Sequence, residues 1–221
     1  MTSTDQATSD GQPTPEDPRP APYRPGPVRY RWTFVEMLVS SLIGLYASLV
    51  LSIEAIALAK DPFADLSCNI STVLSCGTVG SSWQASLLGF PNAYLGLIAE
   101  PVVITIAVAA LGGVRFPRWF MNSAQVVYSI GLVFAYWLFY QSYFVIGALC
   151  PWCLLITLTT TTVFMSLTRV NLLDNTFGLP AGAYRTVASW LKAGADTLGV
   201  IIIFALLIAA IVLKYGGELF A

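Results

Sequence analysis

The chain has 221 residues, 56% of them hydrophobic, with 11 Lys and Arg, 12 Asp and Glu, and a formal net charge of −1. That balance excludes an ordinary water-soluble domain, and the missing basic excess argues against a nucleic-acid partner, because phosphate binding rests on clustered cations. Histidine is absent, which removes Ser-His-Asp and Cys-His nucleophiles, His-ligated metals and His-held haem, and leaves four cysteines as the chemical actors.

Residues 1–31 carry seven of the thirteen prolines and eight of the charges, with no apolar run able to offset the entropy of ordering. The composition predicts a disordered cytoplasmic tail. It does not read as a secretory signal, because the apolar stretch that follows is too long for a signal core and no A-x-A cleavage site ends it. Five apolar stretches come next, at 33–59, 90–112, 119–145, 149–167 and 197–213, each near or above the roughly 20 residues that cross hydrocarbon as a helix. They predict a membrane-embedded catalytic domain of five transmembrane helices over 32–215, followed by a short outer C-terminal tail over 216–221.

Five spans place the termini on opposite sides of the membrane. Nine of the eleven Lys and Arg lie in the tail, at Arg115 and Arg118, and in the 169–192 segment, whereas Lys60 and Lys214 stand alone on the other side. The positive-inside rule then predicts a plasma (inner) membrane protein with its N-terminus in the cytoplasm, and with the 60–89 loop and C-terminus outside. Cys68 and Cys76 fall in that loop, and Cys150 and Cys153 at the outer mouth of the fourth span, the oxidising side. Val79, Trp83 and Leu87 recur at i, i+4 and i+8, which suggests a short amphipathic helix lying over the bundle as a lid. Glu100 falls near the middle of the second span, where a carboxylate is costly; Glu54 and Glu36 read as interfacial, and Glu100 or Glu54 is a candidate proton relay.

Cys150-Pro151-Trp152-Cys153 opens a helix, with the proline suited to the first turn and the two cysteines on one face. Unpaired N–H groups at a helix start stabilise a thiolate, and can bring a cysteine pKa from about 8.5 toward 7 or below. Four cysteines allow three pairings, of which proximity favours 68–76 and 150–153. Attack between Cys76 and Cys150 would carry electrons from one pair to the other through a mixed disulfide, without a metal. Two structural disulfides in a membrane scaffold would use the same residues, although a C-x-x-C bridge closes too small a loop to constrain much. A four-cysteine metal sensor or carrier is another reading, which the C-x7-C…C-x2-C spacing suits poorly. Leu154 follows the motif where haem attachment needs His.

The ordered set of Cys68-x7-Cys76, Ser82, Asn92 and Cys150-Pro-Trp-Cys153 resembles the vitamin K epoxide reductase family, over about 42–167. The fifth span and the Pro-Trp filling are similar to its bacterial branch. The resemblance implies an all-α integral membrane protein in which a four-helix transmembrane bundle surrounds a quinone. A fifth helix would be peripheral, and the outer loop would form the cap. It further implies a quinone-dependent thiol oxidase that forms disulfide bonds. Cys68 would exchange with a thioredoxin-fold partner, Cys76 would pass electrons to Cys150, and Cys153 would face the acceptor, a menaquinone or ubiquinone. Asn92 would hydrogen-bond a quinone carbonyl and Ser82 would support the loop.

Thr157, at i+4 from Cys153, shares the face on which a quinone would sit, although threonines in this helix also suit back-bonding. It stands where vertebrate members have a tyrosine, so vertebrate-type epoxide chemistry is not implied. Many bacterial relatives carry a fused thioredoxin domain; this chain stops at Ala221, and the expected partner is a separate DsbA-like protein on the outer face. The convergent DsbB-like oxidase is the nearest enzyme alternative, but there the C-x-x-C comes before the wider pair.

Overall fold

The computed structural model describes residues 30–219 except 65, 67 and 72. The tail expectation therefore lies outside the described residues as far as position 29, as do 220 and 221 of the expected outer tail. Among the described residues, five helices are long and apolar enough to span a membrane. They are α1 (Arg31–Lys60), α3 (Ala93–Leu111), α4 (Arg118–Tyr140), α5 (Pro151–Leu173) and α7 (Ala195–Leu219), in an all-α multi-pass arrangement. Two short helices complete the set, α2 (Cys76–Gly80) and α6 (Ala181–Lys192). Hydrocarbon cannot satisfy backbone polar groups, so apolar stretches of this length close their hydrogen bonds within one helix.

α1 is central: it packs along both α3 and α5, and α5 packs along α4. Small residues make the close approach possible. Ser41, Gly44, Ala47, Ser48 and Ser52 form the buried stripe of α1, and small stripes let helix backbones approach where lipid gives no hydrophobic drive. A Cβ on Gly96 of α3 would run into the Ser48 side chain, and one on Gly44 would stand 2.9 Å from Glu100 Oε1. Between α4 and α5 the glue is polar: Asn171 Nδ2 donates to Gln125 Oε1 at 3.0 Å, and Gln125 Nε2 donates to Thr168 Oγ1 at 2.9 Å. α7 packs mainly on α5 and α6, and its membrane-length window is unburied. It is the peripheral fifth helix of the expected bundle.

Three features differ from the sequence expectation. The lid is not one helix. α2 ends at Gly80, and a separate 3-10 turn follows at Trp83–Ser86. Ser81 Oγ and Ser82 Oγ donate to the carbonyls of Gly77 and Val79 at 2.7 and 2.6 Å, which caps α2 instead of extending it. Val79 is buried, whereas Trp83 and Leu87 face outward. Secondly, α6 was hidden in a segment read only for its charges. Its twelve residues are too few to span; Ala188 and Leu191 pack on Leu173, and Tyr184 Oη donates to the Leu173 carbonyl at 2.9 Å. Finally, α7 continues through Leu219, so 216–219 belong to a helix and not to a tail. Buried Tyr215, whose hydroxyl donates to the Tyr143 carbonyl, holds the end of α7 against the turn after α4.

Candidate active site

All four cysteines meet at one end of the bundle, in a cluster built by the last turns of α1, the loop before α2 and the start of α5. With 30 residues at about 1.5 Å each, α1 is about 45 Å long. That exceeds the roughly 30 Å hydrocarbon core; its C-terminal part packs into the cysteine cluster through Leu51, Ala57 and Leu58, with Glu54 of the same stretch against Cys68. At the other edge α4 runs into a π-helical segment, Gln141–Ile146, which closes on Gly147 at φ 75°. Glycine takes that left-handed turn without a Cβ penalty.

The chain then passes Leu149, which forms an isolated parallel bridge with Leu74. Leu149 N donates to the Val73 carbonyl at 2.7 Å, and Ser75 N donates to the Leu149 carbonyl at 3.0 Å. This bridge sets the loop beside the C-x-x-C. Cys76 comes two residues after one bridged position and Cys150 immediately after the other, and their sulfurs lie 3.1 Å apart. α2 is short, but Ser75 Oγ accepts from Thr78 N, and Asn69 Oδ1 accepts from Gly77 N and Ser75 Oγ. These bonds hold Cys76 at the first position of α2.

Cys68 and Cys76 are joined as a disulfide with Cα atoms 5.6 Å apart. Cys150 and Cys153 are free thiols, so the 150–153 bridge that proximity favours is absent in this state. Cys150 is instead the N-cap of α5 with Pro151 at the first turn, and its sulfur accepts from Cys153 N at 3.4 Å. The Cys153 side-chain hydrogen bond pushes the Cys150 thiol below its ordinary pKa. Backbone N–H groups of Cys153 and Trp152 add to the effect, while burial and the Glu54 charge oppose it. A reduced dithiol with an activated sulfur therefore sits against an oxidised disulfide, within reach of exchange.

Glu54, expected at an interface, is 8% exposed, and its two carboxylate oxygens lie 3.2 and 3.3 Å from Cys68 Sγ. One carboxylate oxygen and the sulfurs of Cys68 and Cys76 fall within 4.8 Å of one another, a spacing a cation could use. In this state the two sulfurs are bonded together, so the set does not offer the two thiolates that soft metals take. Glu100 lies elsewhere, in the bundle, where Tyr128 Oη donates to its Oε2 at 3.4 Å.

Ser82 and Asn92 build the lid. Ser82 Oγ donates to the Val79 carbonyl, and Asn92 joins the lid to the start of α3. Its N donates to the Ala85 carbonyl at 2.9 Å and its Nδ2 to the Gln84 carbonyl at 2.6 Å. Asn92 Oδ1 is buried with no partner among the described residues, an acceptor that a bound polar group would satisfy. Thr157 is buried on α5, and its hydroxyl donates to the Cys153 carbonyl at 3.0 Å, leaving only its lone pairs for a ligand. Sequence reasoning passed over Gln84, which is buried and donates to Gln141 Oε1 at 3.4 Å, tying the lid to the end of α4. No sequence signal marked it, because it lies five residues after Val79 and so off the i, i+4, i+8 face.

Five membrane-length helices with a disulfide and an activated C-x-x-C packed together at one end define a membrane thiol–disulfide oxidoreductase. The sequence profile of the vitamin K epoxide reductase family matches residues 35–168, and the chain belongs to that family. Family members use quinones and work with thioredoxin-like redox proteins. Among curated proteins no match to this chain is found.

Proposed function

We propose that the chain is a quinone-dependent thiol oxidase of the plasma membrane. It would reoxidise an exported thioredoxin-fold protein and pass two electrons through Cys68/Cys76 and then Cys150/Cys153 to menaquinone or ubiquinone. The observation that carries this reading is the 3.1 Å approach of Cys76 Sγ to Cys150 Sγ, because a mixed disulfide between the two pairs then needs little movement. The state described, with the outer pair oxidised and the C-x-x-C reduced, is the one expected after electrons have crossed between the pairs.

The residues fit the acceptor at its polar end. Asn92 Oδ1, without a partner among the described residues, can accept from the hydroxyl of a reduced quinone, and the second N–H of Nδ2, beyond the one bonded to the Gln84 carbonyl, can donate to a quinone carbonyl. Thr157 lies one helical turn after Cys153, with lone pairs free to accept. Quinone supplies the two-electron sink; the protein orients it, shields it beneath the lid and presents Cys153. Ser82 holds the lid by closing the turn after α2. The nine-to-two split of Lys and Arg supports an outward cysteine end.

The test is anaerobic reduction of added quinone by the purified chain, supplied with a reduced thioredoxin-fold protein. Quinone loss matched to thiol loss, abolished by Cys153→Ser, is the expected result. Thiol oxidation independent of quinone, or untouched by Cys153→Ser, would refute the reading.

A further inference from the structure

Electron flow toward Cys150 ends with the Cys68 thiol closing on Cys76 and expelling Cys150 from a Cys76–Cys150 mixed disulfide. A thiol attacks slowly until its proton is removed. Cys68 is only 4% exposed, so bulk water is a poor acceptor for that proton. Among the described residues, the Glu54 carboxylate touches its sulfur, with both oxygens within 3.3 Å. A disulfide sulfur carries no proton to donate; the contact becomes a thiol-to-carboxylate hydrogen bond when Cys68 is reduced. Glu54, Cys68, Cys76 and Cys150 thus form a series in which each reacting atom touches the next.

We propose that Glu54 is the general base of this closing step, an assignment that rests on the electron route proposed above. Its carboxylate takes the Cys68 thiol proton as the Cys68–Cys76 bond forms and the Cys76–Cys150 bond breaks. The electron pair leaves on Cys150, where the N–H groups at the start of α5 receive it. The mixed disulfide is itself the oxidant, so atoms and electrons balance without a co-reactant, and the proton ends on Glu54, facing the sulfur it left. In reverse, the protonated carboxyl protonates Cys68 as it departs. Position on α1 explains why the carboxylate is held so closely: Glu54 lies on the part of a long helix that rises into the cap, between Leu51 and Leu58 of the cysteine cluster. Its charge also reaches Cys150 and Cys153 at the start of α5.

The experiment uses the full chain, first oxidised by quinone and then given a reduced dithiol, with acid quenching, alkylation and mass spectrometry to follow the Cys76–Cys150 species. In Glu54→Gln this species should accumulate and resolve roughly a hundredfold more slowly at neutral pH. Its rate should climb as pH rises and hydroxide replaces the missing base. Glu54→Asp should recover part of the loss. In a Cys68→Ser background, where no resolving thiol exists, the Cys76–Cys150 species should persist whether position 54 is Glu or Gln. Resolution at native speed with a native pH profile in Glu54→Gln overturns the assignment. Independently of any variant's folding, resolution in the native chain should slow in deuterated water, and equal rates overturn it as well. A native chain that oxidises no thiols with quinone refutes the proposed function and this step together; a native chain that does so while Glu54→Gln resolves normally refutes this step alone.

Discussion

At the scale of single residues, reactivity is set by what each sulfur touches. Cys150 is held below the ordinary thiol pKa first by the Cys153 side chain and then by backbone N–H groups. Its alkylation rate should therefore level off at a lower pH than that of a free thiol, because the thiolate fraction saturates once pH exceeds the pKa. Cys153→Ala should move that inflection upward, as mass-resolved alkylation across a pH series will show. The sulfur approach predicts that Cys76→Ser abolishes partner-driven turnover while quinone still oxidises a C-x-x-C reduced by a small dithiol. Cys68→Ser should trap the Cys76–Cys150 disulfide, visible by mass spectrometry under turnover. Asn92→Ala should slow the quinone step by roughly tenfold to a thousandfold, corresponding to about 1.5 to 4 kcal/mol of lost transition-state stabilisation. Electron transfer as far as Cys150 should persist. A variant with normal quinone turnover and a defect in the thiol step would remove Asn92 from the acceptor site.

At the scale of elements, close approach of α1 to its neighbours decides where the cysteine end sits. Gly96 faces Ser48 with no room for a Cβ, so Gly96→Ala should force the α1–α3 seam apart and cost about 1 to 3 kcal/mol. Thermal unfolding in detergent will read this as a lowered midpoint. Gly131 of α4 has nothing near its missing Cβ, and Gly131→Ala should leave the midpoint unlowered. The Leu74–Leu149 bridge is the counterpart at the cap. Leu149→Pro would delete the N–H that donates to Val73; it should slow transfer from Cys76 to Cys150 in rapid-quench measurements, with both cysteine pairs still present.

Across the whole molecule, charge and redox chemistry are sorted to opposite ends. Lys60 ends α1 at the cysteine end, and Lys214 donates to the Tyr143 carbonyl and lies over the Tyr143 ring there. At the other end Arg118 donates to the carbonyls of Asn175 and Thr176, and Arg169 pairs with Asp196 to tie α5 to α7. The proposed orientation predicts that a reporter active only outside the membrane works when fused after 219 and fails when fused between α3 and α4. The reverse pattern would refute the outward placement of the cysteine end. Cys68 is buried beneath this cap, so exchange with a protein partner requires the stretch around it to open. A small dithiol should accordingly reduce Cys68–Cys76 faster, at equal thiol concentration, than the thiols of a folded protein that is not a redox partner.

By itself, the amino-acid sequence determined the membrane class, the five spans, the ordered cysteine motif and the family, because each is written in local composition or in spacing along one helix. Hydrocarbon tolerates little else from apolar runs of that length. Tertiary structure decided the contacts that make the site work. The pairing of Leu74 with Leu149, residues far apart in the chain, is what brings Cys76 to Cys150, and no spacing rule encodes it. Glu54 read as interfacial because its helix position near one end suggested water; only the height to which α1 rises into the cap placed it on Cys68. The split of the lid and the presence of α6 were likewise settled by contacts. Serine caps on neighbouring carbonyls outweighed an amphipathic period, and a twelve-residue helix found its apolar partner on the end of α5.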